Sequence, residues 1–79
     1  MRLDKYLKVS RIIKRRTVAN EACDAGRVEV NGKVARASYD VKVGDVIKVS
    51  LGSNEREYEV LEVLEHALKE DAAKMYKVL

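Results

Sequence analysis

Arg11, Lys14, Arg15 and Arg16 fall within six residues, and no acid follows until Glu21. Cationic side chains this close repel one another, so something must offset them: solvent, a neighbouring carboxylate or a polyanion. The chemistry they suit is phosphate binding, because arginine grips phosphate bidentately and lysine supplies a point charge. The wider sequence repeats the bias. Residues 1–16 hold seven basic side chains and one acid, Asp4. Residues 1–36 hold ten Lys/Arg and four Asp/Glu, a balance of +6, whereas residues 37–79 hold six and nine, a balance of −3. The net charge of +3 is therefore unevenly spread. It points to a basic face presented to a polyanion, with an acidic half turned away.

No set of residues suited to catalysis accompanies the cluster. His66 is the only histidine, with no second His and no nearby Cys to share a metal ion, and reads as a surface residue. Cys23 falls on an apolar helical face and reads as a small buried hydrophobe. The glycines sit where caps and turns need them, not in a phosphate-cradling loop. The carboxylates from Glu55 to Glu70 alternate along a strand and read as a solvated face. Tyr6 and Tyr58 read as core, while for Tyr39 and Tyr76 packing and base stacking stay open. A binding protein without metal or cofactor is expected, not an enzyme.

The elements that must position the basic residues follow from periodicity. Leu3, Tyr6 and Leu7 recur at i, i+3, i+4, which predicts a helix from Arg2 to about Ile12. Asp4 then lies in its first turn, favourable near a helix N-terminus or paired with a nearby arginine. A second helix is predicted from about Thr17 to Ala25, with Val18, Ala19, Ala22 and Cys23 on its apolar face. Thr17 is its candidate N-cap and Gly26 the glycine just past its end. The basic cluster thus sits at the helix–helix junction, where free backbone N–H groups also attract anions.

"RVEVNGKVA" alternates like a half-buried strand, and Asn31-Gly32 is a strong two-residue hairpin signal. "VKVGDVIKVS" gives a turn at Gly44-Asp45 and a strand from Val46 to Ser50. "LGSNE" reads as a loop and "REYEVLEVL" as an acid-rich strand with a bulge between Val60 and Leu61. "ALKEDAAKMYKVL" places Leu68, Ala72, Met75 or Tyr76, and Leu79 on one helical stripe, predicting a short terminal helix. The fold class is α+β: two N-terminal helices packed on a small, mostly antiparallel sheet, then a short C-terminal helix.

With 79 residues, one domain is expected, and its core is thin. A single Cys allows no internal disulfide, and a reducing, cytoplasmic setting follows as the expectation. Apolar runs are too short for a membrane span. The opening "MRLDKYLKVS" lacks the apolar stretch of a secretory signal.

At "RLDKYL", "KRRTVANEACDAGRVEVNGKVA" and "VKVGDVIKV" the sequence resembles the αL RNA-binding motif family, the domain named after the fourth small-subunit ribosomal protein. The likeness covers residues 2–49, and its strength lies in several weak pieces occurring in order. The resemblance implies binding of structured RNA through helix one, the start of helix two and the following turn. Arg2 and Asp4 match the opening motif, Arg16 the helix-two arginine, and Arg27 to Gly32 the hairpin. Arg15 stands where the family usually carries Ser. Capping of helix two then falls to Thr17 or to nothing.

Among stand-alone members, "MRLDKYLKVSRIIKRRT" with a closing "AAKMYKVL" is most similar to the short quality-control factors of many Gram-positive bacteria. The heat-shock large-subunit recycling proteins are the related group, and typically carry a long basic extension. The first likeness implies a non-enzymatic clamp on an obstructed large ribosomal subunit. Its partners would be large-subunit rRNA, peptidyl-tRNA and an RqcH-type tailing factor that adds alanine to the stuck chain. No membrane partner is implied, and the free protein is expected to be a monomer. Residues 1–79 form one RNA-binding domain on this view, with the motif core at about 2–49 and an extension at 50–79. The expected RNA-binding residues are Arg2, Lys5, Lys8, Arg11, Lys14, Arg15, Arg16, Arg27, Lys33 and Arg36. Three other readings stay open: a heat-shock-type large-subunit recycling factor, a general structured-RNA chaperone, and a protein-interaction module docking through the acidic Glu55–Glu65 strand and the terminal helix.

Overall fold

Leu3, Tyr6 and Leu7, the predicted buried face of the first helix, have no exposed surface in the computed structural model, which describes residues 1–79. That helix, α1, spans Leu3–Val9 and stops short of the predicted Ile12. The chain turns at Arg11, whose backbone is left-handed at φ 64. Its amide donates to the Lys8 carbonyl at 3.0 Å. Helix α2 spans Arg16–Asp24. Its N-cap is Arg15, in extended conformation, and no side chain caps it, so Thr17 does not serve as the cap. The end of α2 is as predicted: Gly26, at φ 77, donates to Cys23 and Arg27 donates to Ala22. This paired closure is the Schellman motif, which needs a left-handed residue where the sequence supplies glycine.

Five strands follow: β1 (Val28–Val30), β2 (Lys33–Val34), β3 (Val46–Leu51), β4 (Asn54–Val60) and β5 (Tyr76–Val78). They form one antiparallel sheet in the order β2-β1-β3-β4-β5. Asn31 and Gly32, at φ 53 and 84, make the predicted tight turn between β1 and β2. "LGSNE" is not a loop but a second tight hairpin. Leu51 pairs with Asn54, and Gly52 turns the chain at φ 62.

The acid-rich strand ends at Val60. Just beyond it the Leu61 and Glu62 amides both donate to the Met75 carbonyl, at 2.8 and 3.2 Å. Two residues facing one is the geometry of a bulge. The terminal helix is shorter than predicted. Only Lys69–Ala72 is helical, as α3, and Tyr76–Val78 leaves it to pair with β4 as an edge strand. Pairing with β4 satisfies backbone groups that a marginal helix so short would leave open.

One core joins these pieces. Val28 and Val30 of β1, Ile47 and Val49 of β3, and Val60 and Met75 pack against Leu3, Tyr6, Leu7, Ala19, Ala22 and Cys23. The Tyr6 hydroxyl donates to the Met75 carbonyl at 2.7 Å, tying α1 to the chain's last segment. Tyr58 and Tyr76 meet edge to face with centroids 5.3 Å apart. The Tyr39 hydroxyl donates to Asp45 at 3.0 Å. Both of the tyrosines left open above are thus engaged in internal contacts. No helix is long and apolar enough to cross a membrane.

Candidate nucleic-acid interface

Asp4 organises one edge of the basic face. It lies in the first turn of α1, and its carboxylate is almost wholly buried. Arg2 donates to it from Nε at 3.2 Å, the Lys5 amide at 2.8 Å and Asn20 from α2 at 3.1 Å. The Arg16 guanidinium stands 3.5 Å away. Burial alone pushes the Asp4 carboxyl pKa up. The hydrogen bonds from Asn20, Arg2 and the Lys5 amide, with the Arg16 charge, outweigh burial and hold it below the usual aspartate range. Both expected roles of Asp4 are met, and the arginines gain fixed directions. About half of each arginine side chain stays exposed, so an RNA phosphate can still reach its unused N–H groups.

The uncapped start of α2 adjoins this edge. Arg15 and Arg16 are exposed there, beside first-turn amides that no side chain engages. Arg15, the N-cap residue, supplies no side-chain acceptor, so those donors stay open to an anion.

The remaining expected residues fall into separate groups. Lys8, Arg11 and Lys14 line one side of an open groove of about 680 Å³. Glu65 and His66, from the segment between β4 and α3, and Lys69, the first residue of α3, line the other. Lys5 pairs with Glu65 across that boundary. Lys33 and Arg36 share a second groove with Val34, Ser38 and Tyr39 beside the first hairpin. Arg27 borders a third with Val18 and Leu51, exposed apolar residues of α2 and β3. The sheet's outward face carries a different pattern. Lys48 faces Glu29 and Glu57 across the ladder and pairs with Glu55 at 2.8 Å. That hydrogen bond and the Glu55 charge push its ammonium pKa up.

Lys69 and His66 escaped the reading of the sequence because nothing local marks them. They belong to the acidic half by position, and reach the basic groove only through the fold. Cys23 is buried, and desolvation first, then the charges of Asp4 and Asp24, raise its thiol to about 11. A thiol so held is inert.

A family model for the S4 domain matches residues 1–47. The chain belongs to the S4 domain family. A Streptococcus pneumoniae relative, "RQC P-site tRNA stabilizing factor", is 54% identical over 79 residues, covering all of this chain and 90% of the relative. The Bacillus subtilis protein of the same name is 52% identical over 79 residues, covering 92% of that relative. A trimeric structure of Vibrio cholerae Heat Shock Protein 15 superposes with a TM-score of 0.91 at 28% identity. It covers the whole of this chain and 81% of the other. The match to the S4 domain takes in α1, α2, the first hairpin and the start of β3. The groove's second wall, at Glu65, His66 and Lys69, lies outside it.

Proposed function

We propose that the chain is an RNA-binding factor of ribosome-associated quality control. It engages the obstructed large ribosomal subunit and steadies peptidyl-tRNA there while an RqcH-type tailing factor extends the stuck chain with alanine. The observation that carries this reading is full-length similarity to relatives named for stabilizing P-site tRNA in RQC. The disposition of charge supports it. Of the ten expected RNA-binding residues, only Arg2, Lys5 and Arg16 form ion pairs within the chain. The other seven present unpaired charge to solvent or to a polyanion. Residues 1–79 would act as one RNA-binding domain, free in the cytoplasm.

A-form RNA keeps its deep groove closed to side chains, so recognition runs through phosphates, 2′-hydroxyls and shape. Arg2, held by Asp4, and Arg15 and Arg16 at the start of α2 would take backbone phosphates. Lys33 and Arg36 would do the same beside the hairpin. None of these steps needs a bond to break, so the factor works by binding alone.

A second reading rests on the Heat Shock Protein 15 homologue of Aeromonas salmonicida, 38% identical over 65 residues. It makes the chain a large-subunit recycling factor. A tagged pull-down from growing cells separates the two. Large subunits carrying tRNA, without small subunits, are the expected catch. Large subunits without tRNA would favour recycling. Mixed RNA with no ribosomal particle would leave only a structured-RNA-binding module.

A further inference from the structure

We infer that the segment after β4 completes a second phosphate-binding cleft, with Lys69 and His66 gripping the RNA backbone opposite Lys8, Arg11 and Lys14. The inference rests on the RNA-binding reading above, and extends the interface beyond the part of the chain that matches the S4 domain.

Four permanent cations line the cleft: Lys8, Arg11, Lys14 and Lys69. None of the four has a carboxylate within ion-pair distance. The one acid on the wall, Glu65, is held by Lys5, so its charge is largely answered before any ligand arrives. Each cation is exposed, as is His66. Nine acids lie in residues 37–79, yet only Glu65 reaches this wall.

The lining decides which phosphate chemistry fits. Val9 and Ala67 are its only apolar residues, and no aromatic ring is present to stack on a base. A mononucleotide would therefore find anchors for its phosphates and none for its base. The groove is open, and Arg15 and Arg16, at the start of α2, follow Lys14 directly in the chain. A polymer backbone passing along both would have Lys8, Arg11, Lys14, Arg15 and Arg16 to contact. Arg11 strengthens the assignment. It occupies a left-handed backbone position where a glycine fits without strain, and its side chain faces the cleft.

The test is a salt titration of binding to purified large ribosomal subunits by the full chain. Wild type, Lys69→Ala, His66→Ala, Arg16→Ala and Lys77→Ala are compared. Lys77 lies opposite Glu59 on the sheet, away from the cleft. Lys69→Ala is expected to weaken binding roughly three- to tenfold and to reduce the log–log salt slope by about one. His66→Ala should have a smaller effect in the same direction, and Lys77→Ala none. If Lys69→Ala behaves like Lys77→Ala while Arg16→Ala weakens binding, the cleft is refuted and the RNA-binding reading stands. A loss at Lys69 without a change in slope marks an indirect effect and also refutes it. Salt-insensitive wild-type binding overturns the RNA-binding reading itself.

Discussion

The Arg16 guanidinium lies 3.5 Å from the buried Asp4 carboxylate, joining the first turn of α1 to the first turn of α2. One carboxylate thereby ties together the two helix starts at which Arg2 and Arg16 stand. It also aims Arg2 and Arg16 without neutralising their outward N–H groups.

Arg16→Ala should therefore weaken binding to large subunits far more than Lys48→Ala. Arg16 borders open surface, whereas Lys48 is already answered by Glu29, Glu55 and Glu57. Loss of a charge-assisted phosphate contact is worth about 1.5–3 kcal/mol, and removing Lys48 should change affinity by less than about twofold. Co-sedimentation of the two variants side by side checks this. Equal losses would move the interface off the helix face.

Acid should unfasten the same junction. The folded pKa of Asp4 lies below its unfolded value, so the stability it adds is complete above the unfolded value, near pH 4. It is lost as pH falls through the depressed folded value. Asp4→Asn should be less stable at neutral pH by about 1–3 kcal/mol, and should lose less of its remaining stability between pH 4 and 2. Urea melts across that range, wild type against variant, measure both.

How much of this arrangement was legible in the sequence depends on how local its cause is. Asn31-Gly32 dictates its own turn, and Leu3, Tyr6 and Leu7 declare a buried face by spacing alone. The basic cluster declared itself too, as composition. The early end of α1 did not, because Arg11 gives no hint that it will take a glycine-like conformation. Nor did β5: Tyr76, Lys77 and Val78 read equally well as a helical turn, and only β4 beside them decides the matter. Lys69 joins Lys8 and Lys14 across some of the longest separations in the chain, held by contacts such as Tyr6 to Met75. Periodicity has no access to such a pairing.

Arg11→Gly should separate stability from binding. Glycine removes the strain of a side chain at φ 64, a gain of roughly 0.5–1 kcal/mol. That corresponds to a Tm higher by about 2–8 °C. Affinity for the large subunit should fall with the lost charge. Thermal melts and binding on one preparation read the opposing signs, and a variant that gains in both would remove Arg11 from the interface.

The Asn31 side chain joins two turns. Its amide nitrogen donates to Asp45 at 3.0 Å, and its oxygen accepts the Val46 amide at 3.0 Å. Asn31→Ala should cost about 2 kcal/mol, from two lost bonds and a strained φ. Asn31→Gly loses the bonds but not the conformation, and should cost about 1 kcal/mol less. Equilibrium unfolding of the pair isolates the conformational share.

The most direct measurement is the affinity of the full chain for purified large subunits with and without a P-site tRNA, across a salt series. Tighter binding to the tRNA-bearing particles, weakening steeply with salt by a log–log slope of roughly −0.7 to −0.9 per phosphate contacted, is the predicted result. Equal affinity for the two particles, or binding that salt does not touch, would contradict a factor that steadies tRNA through a basic face.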